Sequence, residues 1–506
     1  MLNKAYHSKY YPFYYMCLPL LFFLIHAIQE YKKVVLNYDL LIIAVGYYSL
    51  GLLIFLVFNK IMRLPFQQSL LLSFLSFSFF LFFGTIQDKL ISIRFLFFPA
   101  HSTVLLPTLI FILGITFFLL KREKKEPSRL NNYITLTFVC LIAYELMRII
   151  ASSFSTNIYP SIPDKEAEFS NQANAIVSPD KPDIYHLVFD SYTSSNVLKK
   201  YWHYDNDIND YLERKGFFIA DSSISNYNFT PFSIASVFNL QYIKNADLFL
   251  ERNAKNFFIG NTLNANNSIF SILDREGYQF STFSILDNSH ELNKLGSFGP
   301  GKPSNWIRKQ TMERLYINPW LFNKFFMMFS GKERIPFSVQ ESINNIILYN
   351  QEAEGNILKQ LNYLSNTPSA VPHFTYSHFT IPHGPYTFDK NGGIKPISLI
   401  EKEEMKAYLD QVIYCNKKIE EIVNLLTQDS LRKKIIIIQG DHGFRNFPPG
   451  IPTKTEYEVL NAVFFYDRNY AGFRKSTSLV NTYRLVLNHL FDARLTILTD
   501  SIVYKK

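Results

Sequence analysis

The sequence predicts two architectures in series. The first is an α-helical membrane bundle of five spans, and the second an α/β domain with a central, mostly parallel sheet. Three observations carry this. Five apolar stretches fall at 10–30, 38–59, 68–87, 102–120 and 131–152, each near the length of about 20 residues that a bilayer requires. From residue 183 onward, short β-branched and aromatic runs alternate with helical patterns, the signature of an α/β sheet. The run Lys433-Lys434-Ile435-Ile436-Ile437-Ile438-Gln439-Gly440-Asp441-His442-Gly443 reads as a strand buried on both faces. It ends in an oxygen and a nitrogen ligand at a strand's carboxyl end, where such folds keep their sites. An adjacent Asp-His is half of a plausible metal site.

The 506 residues exceed one ordinary domain. They divide into a membrane domain (1–153), a linker (154–182) rich in Ser, Asn, Pro and charge, and an outer domain (183–506). The net charge of +9 is scattered or sits beside apolar spans, with no Arg-rich stripe. This argues against nucleic acid and for a surface near anionic headgroups. Cys17 and Cys140 lie in apolar spans and Cys415 stands alone, so there is no disulfide framework or CxxC motif. The first span has a long apolar core and no small-x-small site before Gln29-Glu30-Tyr31, unlike a cleaved signal.

Loop charge sets the orientation. Lys4, Lys9, Lys60, Arg63, Lys121, Arg122, Lys124, Lys125 and Arg129 fall on one side; Lys32, Lys33, Lys89, Arg94 and Arg148 fall on the other. The richer side is the cytoplasm, and an odd number of spans puts the outer domain outside. Near the outer end of the fifth span, Glu145 and Arg148 share a helix face. They either pair with each other or face a headgroup.

In the outer domain, Asp183–Ser191 reads as a strand that ends in Asp190, either a turn residue or a ligand. Helical patterns cover 207–216, 268–275, 341–364, 401–428 and 480–491; further strands cover 217–220, 278–285 and 460–466. Thr230-Pro231 starts a helix. The bland role for Thr230 is an N-cap. The functional one is a hydroxyl at a helix N-terminus, where a bound phosphate or sulfate and a developing alkoxide are favoured. His373–Thr380 alternates as a strand and leads into a Pro/Gly turn that exposes His383, with His378 five residues before it. Residues 290–340 are aromatic and basic, with Trp306, Arg308, Arg314 and Trp320, and cover the site or face the membrane.

Four ordered motifs carry a resemblance: Leu187-Val188-Phe189-Asp190-Ser191, Asn228-Phe229-Thr230-Pro231-Phe232-Ser233-Ile234-Ala235-Ser236, His378-x4-His383-Gly384-Pro385-Tyr386, and Gly440-Asp441-His442-Gly443. Over roughly 182–495 the chain resembles the sulfatase-like branch of the alkaline phosphatase superfamily. With its spans it is similar to membrane phosphoethanolamine transferases and lipoteichoic acid synthases. The resemblance implies one divalent metal held by Asp190, Thr230, Asp441 and His442, with Thr230 as nucleophile. His383 and His378 would then bind the transferred group, His383 also protonating the leaving oxygen. Those ligands suit zinc or manganese, with magnesium or calcium open.

The departures are informative. Formylglycine sulfatases carry C/S-x-P-x-R, whereas this chain has Thr230-Pro-Phe-Ser, which disfavours ordinary sulfate-ester hydrolysis. Asp190 stands where the two transferase groups have Glu, and no His lies between His442 and His489. The cysteine pairs of the disulfide-rich members are missing.

The expectation is a membrane enzyme of the bacterial inner (plasma) membrane with an extracytoplasmic domain. It would move a phosphoryl headgroup, of phosphoethanolamine or phosphoglycerol type, from a phospholipid donor through Thr230 to an envelope glycan or lipid acceptor. Two rivals stand beside it: a phosphate or sulfate ester hydrolase, and a non-catalytic membrane protein that binds a glycan or partner.

Overall fold

The computed structural model describes residues 11–31, 37–92, 102–122, 127–154, 159–163, 181–265, 267–284, 286, 304–314, 337–367, 369–395, 404–428 and 432–506. Most of the expected linker (164–180), Trp320, and the orientation-setting Lys4, Lys9, Lys32, Lys33, Arg94, Lys124 and Lys125 lie outside the described residues. The chain forms two compact units. One contains 1–157 and 301–339, the other 158–300 and 340–506.

The first unit holds α1 (Tyr11–Tyr31), α2 (Asn37–Leu56, continued by a π-turn Val57–Ile61), α3 (Phe66–Ser92), α4 (Ser102–Arg122) and α5 (Ser128–Phe154). Each matches an expected span. Four of them are long and apolar enough to cross a membrane, and Tyr14–Gln29 is a shorter apolar helix. Exposed Leu, Ile and Phe side chains on α4 and α5, such as Ile110, Phe111, Leu136 and Ile150, suit a hydrocarbon solvent rather than water. Inside, Asn131 joins Tyr15 to Gln67 through hydrogen bonds of 3.1 and 2.8 Å.

In sequence 304–314 sits between stretches of the outer domain; in space it packs in the first unit. Ile307 is fully buried in the helix core, and Met312 packs near Phe83, Leu105 and Leu109. The Gly84 N–H donates to Gln310 O and Phe80 O accepts from Met312 N–H, both at 2.8 Å. Phe80 C=O and Gly84 N–H are one i→i−4 pair of a regular helix, so the docked turn reaches both groups of the same helical step. Gly84 is required there, because a Cβ would lie 2.1 Å from Lys309 O. Arg314 adds a fork to Asp88 at 2.7 Å on both oxygens and a bond to Gly84 O.

In the second unit the remaining elements follow in order. They are β1 (Asp183–Phe189), α6 (Ser195–Trp202), α7 (Ile208–Arg214), β2 (Phe218–Ile219), α8 (Thr230–Asn239), α9 (Ala254–Thr262), α10 (Ser268–Arg275) and β3 (Gln279–Phe283). After the docked helix α11 (Ser304–Lys309) of the first unit come α12 (Phe337–Asn366), β4 (His373–Phe379), α13 (Glu404–Thr427), β5 (Lys434–Gly440), β6 (Asn461–Phe465) and α14 (Leu479–Phe491). The expected strands and helices are present; α6 and α9, both short, were not anticipated. The sheet runs β2-β6-β5-β1-β4-β3, parallel from β5 to β3 and antiparallel at the β2–β6–β5 edge. Ile436 and Ile438 of β5 face one helical layer with Val412, Ile419 and Val423 of α13. Ile435 and Ile437 face the other, with Ile234 and Phe238 of α8 and Val486 of α14. Burying four isoleucines stabilises this strand by roughly 6–12 kcal/mol before entropy, which explains why it is central.

Gly84→Val should undock 304–314. In a Thr85→Cys/Gln310→Cys background, whose parent side chains meet at 2.9 Å, oxidative cross-linking should form when Gly84 is kept and be lost when Gly84→Val is added.

Candidate active site

β1 and β5 are parallel neighbours in a register that sets Phe189 opposite Gly440. The next residue of each is an aspartate, so Asp190 and Asp441 emerge side by side at the carboxyl edge. The contact is close enough to demand glycine at 440, since a Cβ there would lie 2.2 Å from Tyr192 O. Ser191 adopts a left-handed backbone (φ 68°), a strain of about 1–2 kcal/mol. Three hydrogen bonds offset it: its N–H donates to Asp441 Oδ1 at 2.9 Å, its hydroxyl to Gly443 O at 3.1 Å, and Tyr408 donates to its carbonyl at 2.8 Å.

Asp441 Oδ1 also accepts from the His442 N–H at 2.9 Å, which leaves Oδ2 for the site. His442 Nδ1 lies 2.8 Å from Gly443 O. A carbonyl only accepts, so Nδ1 carries the proton and Nε2 presents a lone pair. That Nε2 is 3.4 Å from Asp190 Oδ1 and 3.6 Å from Asp441 Oδ2. On the other side β4 contributes His378, opposite Val188 in register. Its Nδ1 meets the Tyr376 hydroxyl at 2.9 Å, and its Nε2 lies 3.7 Å from Asp190 Oδ2.

Asp190 Oδ1, His378 Nε2, Asp441 Oδ2 and His442 Nε2 are all buried and have no hydrogen-bond partner. Buried ligating atoms left unpaired would each cost kilocalories. A divalent cation removes that cost, and two carboxylates with two imidazoles suit zinc or manganese. Ligating atoms of Asp190, His383 and His442, and of Asp190, His378 and Asp441, lie within 4.8 Å of one another in each set. The residues therefore fit a metal. His378, expected at the substrate, stands in this cluster. Burial alone would raise the Asp190 carboxyl, but the imidazoles of His383, His378 and His442 around it hold it well below the usual carboxylate range.

Thr230 is the first residue of α8, and the cap position belongs to Phe229, with no side-chain cap. The N-cap expectation for Thr230 is thus corrected by one residue: Phe229 O accepts from Phe232 and Ser233, so Thr230 is already helical and its hydroxyl is not used for capping. One turn on, Ser233 Oγ donates to Asp441 O at 2.6 Å. This bond ties the helix start to the Asp-His loop. Every residue of α8 is buried.

His383 sits in the turn after β4. Its Nδ1 meets Gly384 O at 2.6 Å and its Nε2 meets Arg445 Nη2 at 2.7 Å. Since a carbonyl only accepts and a guanidinium only donates, Nδ1 carries the proton and Nε2 accepts. Burial, then the Arg445 charge, favour this neutral form against the pull of Asp190. Arg445 also donates to Asn228 O at 3.1 Å, and Asn228 Nδ2 donates to Glu456 Oε2 at 2.7 Å. Sequence reasoning missed Arg445 and Glu456. The available signal was an arginine three residues past the Asp-His pair, in the same loop.

A metal-competent carboxylate–imidazole cluster and a hydroxyl-bearing helix start tied to it by Ser233 stand at the carboxyl edge of a mostly parallel sheet, the place of an enzyme's active site. The chain belongs to the sulfatase family, whose model matches residues 203–470, and so to the enzymes of the alkaline phosphatase superfamily. No curated protein matches the chain. Similar solved structures include the C-terminal periplasmic domain of phosphoethanolamine transferase EptC from Campylobacter jejuni (14% identity, 61% of this chain and 89% of that chain, TM-score 0.37). The corresponding domain of EcEptC from Escherichia coli in complex with Zn has 13% identity, covers 63% and 85%, and has a TM-score of 0.38. Lipoteichoic acid synthase LtaP from Listeria monocytogenes has 14% identity, covers 66% and 76%, and has a TM-score of 0.37.

Gly440→Ala should push Asp441 off its position. Metal analysis of the purified variant should show occupancy reduced at least about tenfold, the scale of disturbing one ligand's support, with the outer unit still folded by circular dichroism.

Proposed function

We propose that this is a five-span enzyme of a bacterial inner membrane, N-terminus cytoplasmic and α/β unit extracytoplasmic. It transfers a phosphoryl-linked headgroup from a phospholipid to an envelope glycan or lipid through a covalent Thr230 intermediate. The carrying observation is a set of unpartnered buried ligating atoms around Asp190, tied by Ser233 to the helix start that bears Thr230, in a chain whose other unit is a set of apolar helices.

Asp190, Asp441, His442 and His378 would hold the metal, with Thr230 beside them. When bound, the metal supplies Lewis acidity and lowers the pKa of a nearby hydroxyl. The chain's own residues do the rest. Thr230 Oγ attacks phosphorus as the bond to the diacylglycerol oxygen breaks, and the Thr230 proton ends on that oxygen. In the second half the acceptor hydroxyl attacks phosphorus, the Thr230–phosphorus bond breaks, and the acceptor's proton returns to Thr230. His383, with its Nδ1–H on Gly384 O and its Nε2 on Arg445, carries both protons once Arg445 Nη2 turns from it to the phosphoryl oxygens. Arg445, with Nη1 and Nη2 on Asn228 O and His383, supplies a fixed cation for the non-bridging oxygens. The start of α8 adds its dipole.

The test is intact-mass analysis after incubation with mixed phospholipids. A metal-dependent adduct should appear on the wild type and be absent from Thr230→Ala; its mass identifies the group carried. Metal-loaded wild type with no adduct and no turnover of any phospholipid would refute the reading. Arg445→Gln should lower turnover by roughly 10²-fold while metal content stays that of the wild type.

A further inference from the structure

The helices of the first unit carry a charged cluster that the catalytic reading does not use. Glu145 and Arg148 lie three apart on α5, and His26 and Gln29 lie three apart on α1, so each pair shares a helix face. Glu145 is the buried member, with its side chain 5% exposed. Arg148 Nη1 reaches both of its oxygens at 3.2 and 3.1 Å, and His26 Nδ1 lies 3.1 Å from Oε1. Gln29 Oε1 is buried without a partner.

One arginine suffices to neutralise one carboxylate. Here the carboxylate holds two nitrogen groups, and both are far more open than it is: His26 at 43% and Arg148 at 38%. Among the described residues, Arg148 Nη2 and Nε and His26 Nε2 have no hydrogen-bond partner. Ionisable groups within an apolar span are costly and mark function more often than packing. Around them the surface is apolar and exposed, with Ile28 on α1 and Leu146, Met147 and Ile150 on α5.

We infer that this cluster is a binding site for the phosphodiester of a phospholipid headgroup. Glu145 is the buried strut that orients the donors, Arg148 and His26 bind the phosphate oxygens, and the acyl chains lie along the exposed apolar faces of α1 and α5. It rests on the proposed orientation for its leaflet, which is the outer one, and it supplies a place where a lipid of the donor class waits outside the catalytic centre.

The test is native mass spectrometry of the full chain, released from nanodiscs of defined phosphatidylglycerol or phosphatidylethanolamine. Retained phospholipid should fall about tenfold in Arg148→Gln, the loss of one charge-assisted contact pair, and recover partly in Arg148→Lys. It should be unchanged in Thr230→Ala, and diacylglycerol, which lacks the phosphate, should not compete. Equal retention by Arg148→Gln, equal competition by diacylglycerol, or displacement by millimolar inorganic phosphate would each overturn the lipid-phosphate site. Lipid retention does not depend on turnover. Failure here with a Thr230 adduct present removes this site alone, and retention with neither an adduct nor turnover of any phospholipid removes the catalytic reading alone.

Discussion

The pairing of β1 with β5 governs the outer unit. Phe189 lies opposite Gly440, and that single register brings two aspartates from positions far apart in the chain to one point. A slip by one residue would turn every side chain of β5 to the other face. It would bury Asp441 among aliphatic residues and expose an isoleucine to the site. Four isoleucines divided between two cores hold the register, so the energy that positions the ligands is hydrophobic and is spent well below them.

Above that register the site is stabilised by hydrogen bonds that leave ligating atoms unused. Asp441 gives one oxygen to Ser191 and His442, and each histidine of the cluster engages one ring nitrogen with a carbonyl or a tyrosine. The other oxygen and nitrogens converge without partners. A folded apo-site of this kind is electrostatically unfavourable alone and becomes favourable with a cation, so metal binding and folding of this edge are coupled. The Ser233 bond to Asp441 O extends the coupling to α8: what moves the Asp-His loop also moves the helix start that carries Thr230.

The first unit follows a different solvent's rules. Where no water is available, backbone groups that leave a helix need protein partners. The 304–314 turn meets α3 in this way, with two backbone hydrogen bonds at Phe80 and Gly84 and side-chain bonds from Arg314. The Glu145 cluster obeys the same rule with side chains, a buried carboxylate held between α1 and α5.

Much of this was legible in the sequence because its signals are local. Hydropathy runs of about 20 residues marked the apolar helices, Ile435–Ile438 marked a strand buried on both faces, and Asp-His after Gly440 marked a candidate site. Which side chains gather around Asp190 was not legible. His378 lies within a strand and was read beside the substrate, and the β1–β4 register brings it against Asp190. Arg445 gave only a lone charge in a loop, and its pairing with His383 depends on a turn some sixty positions upstream. The place of 304–314 was equally hidden, because no periodicity reports a backbone bond to a glycine more than two hundred residues away. Sequence by itself determined the two classes of architecture and the residue types able to do the chemistry, since hydrophobic period and ligand identity are properties of the chain. Tertiary structure decided which of those residues share a point in space, since strand register and helix docking are set by packing between distant segments.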